Sequence, residues 1–191
     1  MDFIENFINQ VHPLSNDASA LFKSIITKKS FSKNDVFVPS GKVPSKFYLL
    51  KKGISRSFAV DQKGKEHIRT LFTPVTTSGS LAALIKKRPS VLTYDCLTDC
   101  EFLEGDYYQF IELTKTHHEL ALFHVKILET VFLNVIKRIS ELSSLNATER
   151  YIKLKNEIPD VDNLIQQYHI ASYLNITPVQ LSRIRKNLYS K

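Results

Sequence analysis

The side chains best suited to recognising another molecule lie near the C-terminal end of this 191-residue chain. In QYHIASYLNITPVQLSRIRKNL, from Gln167 to Leu188, Val179, Gln180, Ser182, Arg183 and Lys186 fall on one side of an amphipathic stretch. These are types that meet a nucleic-acid duplex well: Arg matches guanine, Gln matches adenine, Val packs on a thymine methyl, and Lys holds a phosphate. From Gln167 to Lys191 the only ionised residues are Arg183, Arg185, Lys186 and Lys191, so the net charge of +7 is concentrated at this end. Net charge alone favours polyanions and does not choose among nucleic acid, membrane surface and simple solubility.

Such a face needs a support, and the surrounding residues supply one. A helix-turn-helix pair requires a small residue where the second helix crosses the first, and Ala171 stands there. Four residues later the chain must turn through a left-handed conformation, which Asn tolerates best after Gly, and Asn175 occupies that position. Thr177 and Pro178 form an N-cap and first-turn pair that starts the second helix. Ile170, Leu174, Ile176, Leu181 and Ile184 make the shared core. The same pattern also suits a helical hairpin whose basic face is merely solvated.

Other chemistries find little support. Cys96 and Cys100 are too few for a disulfide framework, lack the paired spacing of a zinc site, and read as reduced small hydrophobes. A metal-dependent enzyme would need clustered His and carboxylates, yet His67 is the single histidine between Phe31 and Phe102. His117, His118 and His124, near the start of a long helical stretch, read as solvated rather than as haem or metal ligands. No catalytic residue, no metal and no certain cofactor is therefore expected. The composition, 43% hydrophobic and 24% charged, is that of a globular protein, and no apolar run approaches the length of a membrane span. Asp2 and Glu5 stand where an export signal would be basic, so a cytoplasmic protein without a membrane partner is expected.

The chain divides by period. From Phe31 to Phe102, DVFVP, KFYLL, ISRSFAV, HIRTLF, VLTYDCL and CEFLEG alternate with turns at Gly41, Gly53, Gly64 and Gly79, which predicts an antiparallel sandwich or barrel. Asp61 to Lys65 reads as a hairpin turn, and flanking helices are expected over Asp2–Gln10 and Asp17–Thr27. Between Glu119 and Leu145, Ala121, Val125, Leu128, Phe132, Val135, Ile139 and Leu142 recur at intervals of four and three, a coiled-coil seam. A second stripe, Phe123, Ile127, Leu133 and Ile136, gives this helix more apolar surface than one neighbour covers. One face is expected on the β domain and the seam on a second copy of the chain, the alternative being a long helix buried wholly within one chain. A further helix starts near Thr148-Glu149-Arg150 and ends at Pro159, with two short helices after it. The expected division is 1–118 for the β domain, 119–146 for the long helix and 147–191 for the helix-turn-helix.

Taken in this order, the chain resembles the Crp–Fnr transcription regulators, with Gly53 and Gly64 in roll turns, the long helix, and IASYLNITPVQLSRIRK as the recognition unit. The resemblance implies an α+β protein: an N-terminal double-stranded β-helix, or jelly roll, of cyclic-nucleotide-binding type, a dimerisation helix and a winged-helix-like C-terminal unit. It implies a homodimer on a palindromic operator of double-stranded DNA, with RNA polymerase as a protein partner. It assigns bases to Val179, Gln180 and Arg183 and phosphates to Thr177, Ser182 and Lys186. Ser78, Gly79, Ser80, Arg88 and Ser90 would line the pocket for a small-molecule effector of unknown identity. Two departures stand out. The Gly-Glu pair and the following Arg of cyclic-nucleotide binders are replaced by Gly79-Ser80 and Pro89-Ser90, so tight cyclic-AMP binding is not expected. Only Tyr189, Ser190 and Lys191 follow the recognition helix, so a truncated wing and weaker DNA affinity are expected. Iron–sulfur members use N-terminal cysteines, and none precedes Cys96. A ligand- or protein-binding roll without DNA-binding activity is the alternative.

Overall fold

A computed structural model describes residues 2–189. Helices α1 (Phe3–Val11) and α2 (Asn16–Ser24) lead into strands β1 (Ile26–Phe31), β2 (Val36–Val38), β3 (Lys46–Lys52), β4 (Ser55–Val60), β5 (Glu66–Phe72) and β6 (Thr77–Ser78). A short helix α3 (Leu81–Lys86), then β7 (Thr93–Cys96) and β8 (Cys100–Asp106), complete the roll. Two four-stranded antiparallel sheets result, ordered β1-β8-β3-β6 and β2-β7-β4-β5. The expected jelly roll within an α+β chain is present.

Side-chain alternation explains how each sheet is covered on both faces. On β3 and β8, Tyr48, Leu50, Cys100 and Phe102 point between the sheets and join Phe37, Val38, Tyr94 and Cys96 in the roll core. Leu49 and Leu103 point outward, where Phe7, Phe22, Phe110, Leu120 and Phe123 from the helices cover them. Phe47 to Leu50 is therefore a continuous apolar run, because both of its faces are buried.

After α4 (Tyr107–Thr116), capped by Asp106, α5 (His118–Ser144) runs for 27 residues. Leu120 and Phe123 bury its first turns against the roll, and the helix then leaves the β domain. Phe132 and Ile139 of the seam are 63% and 58% exposed in the single chain. The second stripe is divided: Phe123 and Ile127 pack inward, but Leu133 is 64% exposed and Ile136 is exposed as well. Beyond Ile127 there is no roll left beneath that stripe.

The chain then forms α6 (Ala147–Glu157), α7 (Val161–Leu164), α8 (Gln167–Tyr173) and α9 (Pro178–Tyr189). Asn146 and Glu149 make a reciprocal capping box that starts α6. Tyr151, Leu154, Ile158, Val161, Ile165, Ile170, Leu174 and Leu181 form one buried cluster that also includes Ile54 and Leu97 of the roll. The segment from 147 onward is thus packed on the second sheet and shares a core with it.

Several expected boundaries move. The second helix ends at Ser24 rather than Thr27, because Ile26 to Phe31 pair with Gly105 to Cys100 as β1, a strand that the sequence pattern does not announce. Three helices rather than two follow α6, since α7 forms after Pro159. Ser190 and Lys191, part of the expected truncated wing, lie outside the described residues.

The turn between β3 and β4 depends on Gly53. Its φ is +96°, and a Cβ there would sit 2.4 Å from the Asp99 carbonyl oxygen. Gly64, at φ +79° in the β4–β5 hairpin, has open space around it. Gly53→Ala is expected to cost about 2 kcal/mol or more and Gly64→Ala about 1 kcal/mol, the difference reflecting the clash, as read by chemical denaturation.

Candidate nucleic-acid interface

Ala171 is fully buried where α9 crosses α8, with Ile170, Leu174 and Leu181 around it and Ile176 and Ile184 at the margin. Asn175 adopts φ +55°, so the chain reverses there through a left-handed residue. The amide of Ile176 closes back on the Ala171 carbonyl at 3.0 Å. Thr177 then caps α9: its Oγ1 accepts from the Gln180 amide at 3.2 Å, and Gln180 Oε1 accepts from the Thr177 amide at 2.9 Å. This is a second capping box, readable in the spacing T-x-x-Q but absent from the sequence-based assignment of roles.

Because the apolar side of α9 is fixed, its other side faces solvent. Val179 is 60% exposed, and Gln180, Ser182, Arg183 and Lys186 are exposed beside it. The structure brings the six proposed DNA-contacting residues together on one surface, with two qualifications of role. The Thr177 hydroxyl and the Gln180 carbonyl group already serve the cap, so Gln180 offers its NH2 group and can pair bidentately with adenine only by opening the cap. Arg183 has no intramolecular partner among the described residues. Arg185, two residues on, belongs to the support instead: it pairs with Asp162, which also accepts from the Tyr151 hydroxyl at 2.5 Å.

The turn is held from behind by two arginines. Arg138 of α5 donates to the Tyr173 carbonyl and lies 3.9 Å from that ring, while Arg150 of α6 donates to the Leu174 carbonyl through Nε and Nη2 at 3.2 and 3.1 Å. These carbonyls end α8 and have no helical partner, so cationic donors suit them. Glu141 fixes α5 to α6 by accepting from Lys153 at 2.6 Å.

The other side of α8 faces the roll. By alternation Arg56 and Asp95 point outward from the second sheet, where His169 Nδ1 lies 2.9 Å from Arg56 Nη1. Sequence reasoning singled out none of these three, although an arginine inside ISRSFAV and an aspartate inside VLTYDCL are charges in otherwise uncharged strands. Burial, reinforced by the Arg56 charge, lowers the His169 pKa from the ordinary 6.5 to about 4.

The proposed effector residues are arranged differently. Ser80 Oγ lies 2.9 Å from Ser90 Oγ, and Ser90 is further engaged with both backbone groups of Leu92. Tyr94, its pKa pushed up to about 12 by burial, also bonds Ser80. Ser78 is buried with an unpartnered hydroxyl, Gly79 has φ +138°, and Arg88 stays on the surface past α3. Between the sheets Phe37 packs edge-on against Tyr48 at 4.9 Å and at a tilt against Phe102 at 5.0 Å, with Phe31 alongside. A cavity of about 190 Å³ opens beside the β2–β3 loop instead, lined by Val38, Lys42, Pro44 and Tyr48, and includes none of the five residues. These side chains do not fit a cyclic nucleotide: no carboxylate waits for a ribose, and no buried cation waits for the phosphate.

Of the histidines outside this junction, His117 Nδ1 lies 3.1 Å from the Leu113 carbonyl, and His124 is half-buried edge-on to Phe110 at 5.3 Å. Cys96 and Cys100 are buried, unbridged thiols in the roll core. Among the described residues, no group of three or more His, Cys, Asp or Glu could hold a metal ion, and no helix is long and apolar enough to cross a membrane.

The chain thus combines a jelly roll, a projecting helix and a helix-turn-helix. Residues 28–117 match the family model of the cyclic nucleotide-binding domain. FixK2 from Bradyrhizobium japonicum is 14% identical and superposes with a TM-score of 0.74, covering 87% of this chain and 85% of that one. CLP, the c-di-GMP-responsive global regulator of Xanthomonas campestris, is 15% identical with a TM-score of 0.69, over 92% of each chain. A protein from Eubacterium rectale described as a transcriptional regulator of the Crp/Fnr family is 14% identical with a TM-score of 0.70, over 92% of this chain and 85% of that one. No curated protein matches the chain in sequence. Residues 28–117 are thus similar to a cyclic nucleotide-binding domain, and the chain shares its fold with these regulators through its helical end.

His169 gives the junction a pH signature. The unfolded chain takes up a proton on this residue near pH 6.5, whereas the folded chain resists it down to about pH 4, so stability falls as pH drops through that interval. His124, lowered by burial, acts in the same direction. The thermal midpoint is expected to fall between pH 7 and pH 5, with a shallower slope in His169→Asn, as measured by differential scanning calorimetry.

Proposed function

We propose that this chain is a homodimeric, sequence-specific DNA-binding transcription regulator whose roll acts without a bound cyclic nucleotide. The observation that carries the reading is the outward face of α9, where Val179, Ser182, Arg183 and Lys186 stand exposed on a helix whose opposite side is locked into a core. Arg183 and Val179 read base edges in the major groove, the Gln180 NH2 group reaches a neighbouring acceptor, and Ser182 and Lys186 bind phosphates with the free edge of the Thr177 cap.

The dimer follows from α5. Val125, Phe132, Val135, Ile139 and Leu142 are exposed at heptad spacing, an apolar band of a length that soluble monomers rarely leave uncovered. Ala121 and Leu128 complete the seam. A second copy related by a two-fold axis covers it and presents two α9 helices, which calls for an operator with inverted half-sites. Residues 1–118 then serve as platform, 119–146 as dimerisation rod and 147–191 as reading head. RNA polymerase is the expected protein partner, the cytoplasm is the expected compartment, and no catalytic step is assigned.

Two measurements test this. Titration with cyclic AMP in a calorimeter is expected to give no saturable heat at micromolar concentration, and a micromolar dissociation constant would reject the ligand-free roll. Selection from a randomised duplex pool is expected to enrich inverted repeats, and Arg183→Ala is expected to weaken binding to the selected duplex by about tenfold or more. Equal, weak binding by wild type and variant would overturn the reading and leave a roll that serves assembly alone.

A further inference from the structure

We propose that Arg56, a residue of the roll, is a positioning residue for the DNA-reading helices: acting through His169, and together with the bonds Ser172 makes to the edge of β5, it sets the angle at which α8 and α9 stand. The inference rests on the DNA-binding reading for its consequence and on the roll–α8 junction for its geometry.

Arg56 is the second residue of β4 and is 4% exposed. Its Nε and Nη2 bond the two carboxylate oxygens of Asp95, its register partner on β7, at 2.7 and 2.9 Å. Nη1 lies 2.5 Å from Glu66 of β5 and 2.9 Å from His169 Nδ1 of α8, and the Phe58 ring lies 4.0 Å from the guanidinium. Two carboxylates already neutralise this cation, so the bond to α8 is not needed to make its burial tolerable. A guanidinium only donates; His169 Nδ1 must therefore accept, and its ring is neutral with the proton on Nε2.

One turn further along α8, Ser172 Oγ donates to the Glu66 carbonyl and accepts from the Ile68 amide, both at 3.0 Å. β5 is the outer strand of its sheet, so these backbone groups would otherwise face solvent. His169 and Ser172, three residues apart, present one face of α8 to the strand. The apolar contacts nearby, from Ile54, Leu71 and Leu97, hold α8 close but are non-directional. The hydrogen bonds supply direction: they admit one rotation of α8 about its axis, and α9 follows through the shared core.

The test uses the full-length dimer with spin labels at Lys63→Cys on the β4–β5 hairpin and Asn187→Cys on α9, with Cys96 and Cys100 buried. His169→Leu removes the acceptor, His169→Asn supplies an amide oxygen near the position of Nδ1, and Ser172→Ala removes the edge bonds should His169→Leu fail to fold. Removing the acceptor or the edge bonds is expected to broaden the label-to-label distance distribution and to weaken affinity for the selected duplex by about tenfold, as when the competent orientation falls to a tenth of the population. His169→Asn is expected to restore both, and sedimentation is expected to remain that of a dimer. A distribution as narrow as wild type in His169→Leu and Ser172→Ala overturns the proposal, as does a broadened one with unchanged affinity. If the wild type selects no duplex, the DNA-binding reading fails while the distances still report on the junction.

Discussion

The left-handed backbone at Asn175 is the constraint on which the helical end depends. Reversing the chain within four residues exposes the last carbonyls of α8, which would be costly in a half-buried setting. Arg138 and Arg150 reach in from two other helices to take them, and Thr177 and Gln180 close the next helix immediately afterwards. The turn is therefore bonded on both sides of the reversal. Only with the turn so fixed do Leu181 and Ile184 point inward and Arg183 and Lys186 outward.

The interior of the roll is closed by aromatic packing. That interior holds Phe31, Phe37, Tyr48, Tyr94 and Phe102 in contact with one another, each edge-on or tilted pair contributing about 0.5–1.5 kcal/mol beyond the area it buries. Opening this space for a nucleotide would sacrifice several such contacts and separate Ser80 from Ser90. The outer faces of the roll are covered too: N-terminal helices lie on one sheet, and α8 with its companions lies on the other.

Much of this was legible because period and punctuation agree. The glycine-marked strands, the heptad seam and the sequence from Ala171 to Pro178 each carry a local signal stronger than any competing one. β1 escaped because ITKKSF is exposed along most of its length and owes its conformation to β8, a partner some seventy residues away in the chain. The uncovered part of the second stripe escaped because sequence reveals that Leu133 is apolar but not where the roll stops. The junction at Arg56 escaped for a similar reason. A charge within an apolar strand has meaning only once Asp95, Glu66 and His169 are known to converge on it. Gln180 was assigned by chemical type, and its capping spacing was legible but outweighed by its suitability for adenine.

Arg138 leaves α5 on the flank of the Phe132 and Ile139 stripe and bonds Tyr173, so the rod that would join two copies also grips each head. Helical phase then becomes a ruler: one residue added between Phe132 and Arg138 would swing the head by about 100° around the rod. On the proposed DNA-binding reading, the separation of the two half-sites would then be set by the register of this helix.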